Sequence, residues 1–194
     1  MDKDRLLAFS DGVIAIIITI MVLELKAPHS AEPAALLALA PVFLSYLLSF
    51  VYVAIYWHNH HHLLSVDFRV NGGVMWANTH LLFWLSLIPF ATAYLDENHF
   101  AALPTAAYGV ALLMPAVAFL VLQTVVIRAE GDGSRLRDAV GRDLKGRISP
   151  IAYLAGIVLA FWMPALSLAL YVAVALMWLV PDRRIERRIG HDGA

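Results

Sequence analysis

Residues 5–25 read RLLAFSDGVIAIIITIMVLEL, a charged and polar head (Arg5, Ser10, Asp11) that runs without a break into an apolar stretch. Wound as one helix, a segment of this length crosses a bilayer. Charges inside such a helix are costly and face a protein interior or a water-filled path. The first helix is therefore expected to do more than anchor the chain. The remainder is built alike: of 194 residues, 61% are hydrophobic and only 15% charged. A soluble domain needs far more polar surface than that, so the sequence reads as an all-α integral membrane protein. The absence of cysteine excludes disulfides, thiolate zinc sites and cysteine nucleophiles. Asp2, Asp4 and Asp11 argue against a cleavable signal peptide, leaving a retained first span as the expectation.

Six helices are expected in a single membrane domain over 1–194, at roughly 5–25, 36–62, 73–95, 103–128, 146–162 and 165–181. Pro28 follows the first, and Asp96-Glu97-Asn98 with Pro104 separates the third from the fourth. A polar segment from Arg128 to Arg147 precedes the fifth. Ile148 to Val180 is apolar almost throughout, too long for one crossing. Proline removes a backbone donor and clashes with the preceding turn, so Met163-Pro164 is expected to divide this stretch into a tight hairpin of two short helices.

The basic residues test the count. With six spans and both ends on the cytoplasmic side, thirteen of the fourteen lysines and arginines fall inside, and Lys26 alone falls outside. That distribution follows the positive-inside rule. Merging the last two helices would export Arg183, Arg184, Arg187 and Arg188. The expected location is the cell inner (plasma) membrane, multi-pass.

At about 100° per residue, Gly12, Ile16, Thr19, Ile20 and Leu23 share one stripe of the first helix, with Ser10 and Asp11 roughly opposite. The helix is apolar nearly all round, so periodicity alone does not select the special face. Thr19 either marks it or simply bonds back to a carbonyl of its own helix. At membrane depth Ser10 and Asp11 need partners. Asn78 and His80 of the third span, or His58, Asn59 and the His60-His61-His62 run of the second, are candidates. The alternative is a set of separate interfacial residues in an aromatic belt.

The run Arg5-Leu-Leu-Ala-Phe9-Ser10-Asp11-Gly12, with Val-Ile-Ala-Ile and Thr19 after it, resembles the RxxxFSDG opening helix of a potassium-channel family. These are the prokaryotic relatives of the lysosomal channel called transmembrane protein family 175. Tyr56-Trp57-His58…His61-His62 and Asn78-Thr79-His80-Leu81-Leu82-Phe83-Trp84 extend the resemblance, and with the six-span layout it covers essentially the whole chain. It implies a homotetramer whose four first helices line a central pore that passes potassium in preference to sodium, without a TVGYG filter. It maps the narrow positions onto Ile16, Ile20 and Leu23 with Thr19 beside them. Arg5, Ser10 and Asp11 are implied to bond toward His80 and its neighbours.

Isoleucine and leucine rings cannot coordinate a cation, and a narrow apolar constriction tends to dewet. They are expected to form a hydrophobic gate, with Thr19 oxygens serving a partly hydrated ion and Glu24, Glu32, Asp96 and Glu97 concentrating cations outside. A network of Arg5, Ser10, Asp11, Asn78 and His80 is expected to brace the helix. The expected partners are the bilayer, the other subunits and potassium ions, with no cofactor, no metal, no nucleic acid and no enzymatic activity. The rivals are a proton- or cation-coupled secondary transporter using Asp11 and His80 and a metalloenzyme built on His58 and His62 at i, i+4. No internal repeat favours the transporter, and an interfacial histidine cluster is the plainer reading of the pair. That cluster also offers groups that titrate near neutral pH to gate a pore. The arginines of 128–147 are expected to set topology or meet anionic lipid.

Overall fold

The computed structural model of the chain describes residues 2–131, 136 and 144–179. Among these the helices are α1 (Lys3–Leu23), α2 (Pro33–Leu37), α3 (Ala40–Ser65), α4 (Gly72–Leu85), α5 (Ile88–Glu97), α6 (Ala102–Glu130), α7 (Leu144–Leu159) and α8 (Pro164–Leu179). With α4 and α5 counted as one span, six spans result, close to the boundaries expected from the sequence. Arg135, Arg137, Arg142 and Arg183 to Arg188, on which the topology expectation leaned, lie outside the described residues.

Prolines set most of the breaks. Pro33, Pro41 and Pro89 each sit in a first helical turn, where a missing N–H costs nothing. Pro89 explains a feature the apolar pattern hid: the third span is bent. The Leu87 amide reaches only as far back as the Trp84 carbonyl, and regular bonding resumes from Ala91 to Leu87. Asn71 starts α4, its side-chain oxygen accepting from the Val74 amide at 3.0 Å. At the other end of the span His99 and Phe100 adopt left-handed backbone, φ 51° and 57°, to turn the chain into α6.

The hairpin at Met163-Pro164 forms as expected. The Trp162 and Met163 amides close on the Leu159 carbonyl, and Pro164 opens α8. The 16 described residues of α7 and of α8 each rise about 24 Å. Tyr171 lies against Gly109 and Gly156, where any Cβ would collide with its ring.

Two buried cores result. Leu6, Ile14, Ile17 and Met21 of α1 pack with Val53, Leu64, Val74, Leu81, Leu85 and Leu122 from α3, α4 and α6. Tyr52, Leu95, Tyr108, Leu112, Tyr153 and Tyr171 join α3, α5, α6, α7 and α8 in the second. Small hydroxyls satisfy the polar groups there. Ser49 bonds Thr92 at 2.7 Å and Tyr108 at 2.8 Å, and Tyr52 donates to the Tyr171 carbonyl at 2.6 Å. This core is the frame, and α1 lies at its edge.

Candidate functional site

The first helix has two unlike faces. Leu6, Ser10, Ile14, Ile17 and Met21 are buried against the rest of the subunit. On the other side Ile16 is 60% exposed, Ile20 42% and Leu23 74%, and Thr19 is exposed beside them. Gly12 lies on the same stripe, with open space where a Cβ would stand. Within one chain, then, the stripe read from the sequence is the uncovered one.

Ser10 fastens the buried face. Its hydroxyl donates to the Leu6 carbonyl at 2.8 Å, so its oxygen can only accept from its other neighbour, the Asn78 amide nitrogen at 2.9 Å. That orientation turns the Asn78 oxygen toward His60, whose Nε2 lies 2.7 Å away and must carry the hydrogen. The three side chains are buried to within 1% and form one directed chain of donors from α3 through α4 to α1. His60 Nδ1, with no partner among the described residues, is left as a buried acceptor.

Two further contacts hold α1 from outside the core. Trp57 Nε1 donates to the Asp11 carboxylate at 2.9 Å. Lys3 donates to the carbonyls of Ser65 and Val66, at 3.2 and 2.8 Å, and lies over the Phe68 ring. The Lys3 clamp was not legible in the sequence, where the residue counted only as a topology charge.

Of the bonding implied toward His80 and its neighbours, the Ser10–Asn78 bond is present, and no bond from Arg5, Ser10 or Asp11 to His80 itself is found among the described residues. Asn78 and His80 are two residues apart, so they point about 200° apart on α4. Asn78 faces α1; His80 faces outward and accepts from Trp84 Nε1 at 2.8 Å, next to an exposed Trp76. Arg5 is exposed and meets no partner among the described residues. The structure therefore brings Ser10, Asn78 and His60 together, pairs Asp11 with Trp57, and leaves Arg5 and His80 apart from both.

Thr19 donates its hydrogen to the Ala15 carbonyl at 2.9 Å. This is the back-bonding expected of a membrane threonine, and it does not exclude a role toward a cation. With the hydrogen spent on the helix, the oxygen keeps its lone pairs for whatever lies in front of the stripe.

The C-terminal end of α1 borders a cavity of about 200 Å³ lined by Met21, Glu24, Lys26, Tyr46, Asp96 and Glu97, among others. Asp96 accepts from Ser45 at 2.5 Å, and Lys26 stands 4.0 Å from Glu97, both largely exposed. Carboxylates outnumber the single cation there. Glu32, also expected in this group, is exposed at the start of α2, away from the cavity lining. At the opposite end no group of three or more histidine or acidic side chains converges among the described residues.

Comparison with known proteins bears on this arrangement. The family described as endosomal/lysosomal potassium channel TMEM175 matches residues 5–89, from α1 to the start of α5. A curated potassium channel of Chryseobacterium sp. (strain P1-3) is 52% identical over 189 residues, 97% of this chain and 98% of that one. The crystal structure of a lysosomal potassium-selective channel TMEM175 homolog from Chamaesiphon minutus superposes with a TM-score of 0.81. That match has 31% identity and covers 91% of this chain and 96% of the other. The human endosomal/lysosomal proton channel TMEM175 is 32% identical over 116 residues, 54% of this chain and 23% of the human one.

Proposed function

The chain belongs to the TMEM175 family of membrane channels, and on that premise we propose that it conducts potassium passively through a pore lined by α1. It is a channel protein and not an enzyme. The observation that carries the pore assignment is the uncovered stripe of Ile16, Thr19, Ile20 and Leu23 on a helix fastened along its other face.

A helix braced on one side and bare on the other calls for a second surface. Four subunits around an axis supply it: their α1 stripes face one another and enclose a narrow path. Ile16, Ile20 and Leu23 then form stacked apolar rings, which hold back water and set the width. Between them four Thr19 oxygens present lone pairs to a partly dehydrated potassium ion. Ser10, Asn78 and His60 act behind the wall, keeping α1 in register, with Asp11 and Trp57 beside them. In this reading both termini are cytoplasmic, which the distribution of basic residues supports, and Glu24, Asp96 and Glu97 stand at the outer mouth, where they enrich cations. The membrane is the cell's own inner membrane.

The threonine tests the selectivity half of this reading. Valine at position 19 keeps the shape and removes the oxygen, so Thr19→Val assembles normally and its potassium-over-sodium permeability ratio falls about fivefold, the equivalent of about 1 kcal/mol. Reversal potentials under opposed potassium and sodium gradients measure it. An unchanged ratio removes Thr19 from the mechanism.

A further inference from the structure

The histidine run at the end of α3 divides into parts with different surroundings. His60 is buried and engaged with Asn78. His61 lies against the Trp57 ring, 6.3 Å between centroids. His58 and His62, one helical turn apart, meet on the outer surface, Nε2 to Nε2 at 2.9 Å, with rings nearly perpendicular at 4.3 Å.

We propose that His58 and His62 form a chelating site for a transition-metal dication of the zinc, nickel or copper class. Two imidazole nitrogens converge there from a rigid helix. A metal held at about 2.0–2.1 Å from each closes a bite of about 90° on nitrogens this far apart, and a slight opening of the rings gives the tetrahedral angle. As the structure stands, one ring donates its Nε2 hydrogen to the other. Binding moves that hydrogen to Nδ1 of the same ring, so both Nε2 lone pairs turn to the ion and no net proton is lost. Imidazole suits zinc, copper and nickel, whereas hard cations take oxygen, so the site is separate from potassium conduction. No third histidine or acidic side chain joins it among the described residues. The pair lies on the last turns of α3 between its two holds on α1, Trp57–Asp11 and Lys3 on Ser65 and Val66.

The test is a calorimetric titration of the full chain, purified through a histidine-free tag and held in lipid nanodiscs, with zinc chloride. One ion per chain is expected, with a dissociation constant on the order of ~10 μM, as befits two protein ligands in place of four. His58→Ala and His62→Ala each weaken binding at least about tenfold, and His61→Ala changes it less than about twofold. Equal binding by the His58 and His62 variants overturns the proposal, as does no binding by the unmodified chain up to about 1 mM. A measurement without variants guards against misfolding. Zinc protects His58 and His62 from carbethoxylation while His61 stays reactive; equal labelling of all three with and without zinc also overturns it.

Discussion

Replacing Ile16 with asparagine raises potassium flux about tenfold, and the same change one residue on, at Ile17, does not. Ile16 is 60% exposed and Ile17 is 2% exposed, so the two side chains leave α1 in different directions: one toward the uncovered stripe, one into the core with Leu6 and Leu85. An apolar ring excludes water from a narrow path, and an amide restores hydrogen-bonding partners for it. A tenfold gain corresponds to about 1.4 kcal/mol off the barrier, modest for wetting one ring of four side chains. In the core the same amide has no partner waiting, and burying it costs about 1–3 kcal/mol of stability. Flux in liposomes and melting temperature in detergent, measured on both variants, separate the two outcomes. Equal behaviour at positions 16 and 17 contradicts the two-faced helix.

The bracing chain predicts the second large effect. Asn78→Leu keeps the volume and removes both hydrogen bonds, leaving His60 Nε2–H buried without a partner and the Ser10 oxygen without a donor, its own hydrogen still on the Leu6 carbonyl. Interhelical hydrogen bonds in membranes average about 0.6 kcal/mol and reach about 1.7. Two of them, with the stranded groups between two helices, amount to about 2 kcal/mol. For a chain of this size that lowers the melting temperature by roughly 4–8 °C. Because apolar replacement of both partners is cheaper than stranding one, His60→Phe in the Asn78→Leu background recovers part of the loss. Additive losses in the double variant show that Asn78 and His60 are not coupled.

The sequence made the spans legible because apolar length and proline are strong signals. The stripe on α1 was legible as a set of residues, though not as the uncovered face. A helix apolar all round carries no periodicity to choose by, and burial of Ser10 with Ile14 and Ile17 decides it. The histidine run does not act as one unit. Neighbours 100° apart meet different surroundings, so one ring is core, one stacks on tryptophan and two face outward. Ser45, Ser49 and Thr92 lie within apolar runs with no pattern to single them out; only the fold brings Ser45 to Asp96 and Ser49 to Thr92 and Tyr108. The bend before Pro89 was visible as a proline but masked by unbroken hydropathy on both sides.

The measurement that tests the central claim most directly uses the absence of cysteine from the chain. A Leu23→Cys protein is reconstituted in liposomes, and its reversal potential is recorded under opposed potassium and sodium gradients before and after a charged thiol reagent is added. A pore lined by α1 gives a reversal potential near the potassium limit, then a loss of current on labelling. A potassium-selective current that persists after Leu23→Cys is fully labelled places the ion path elsewhere in the molecule.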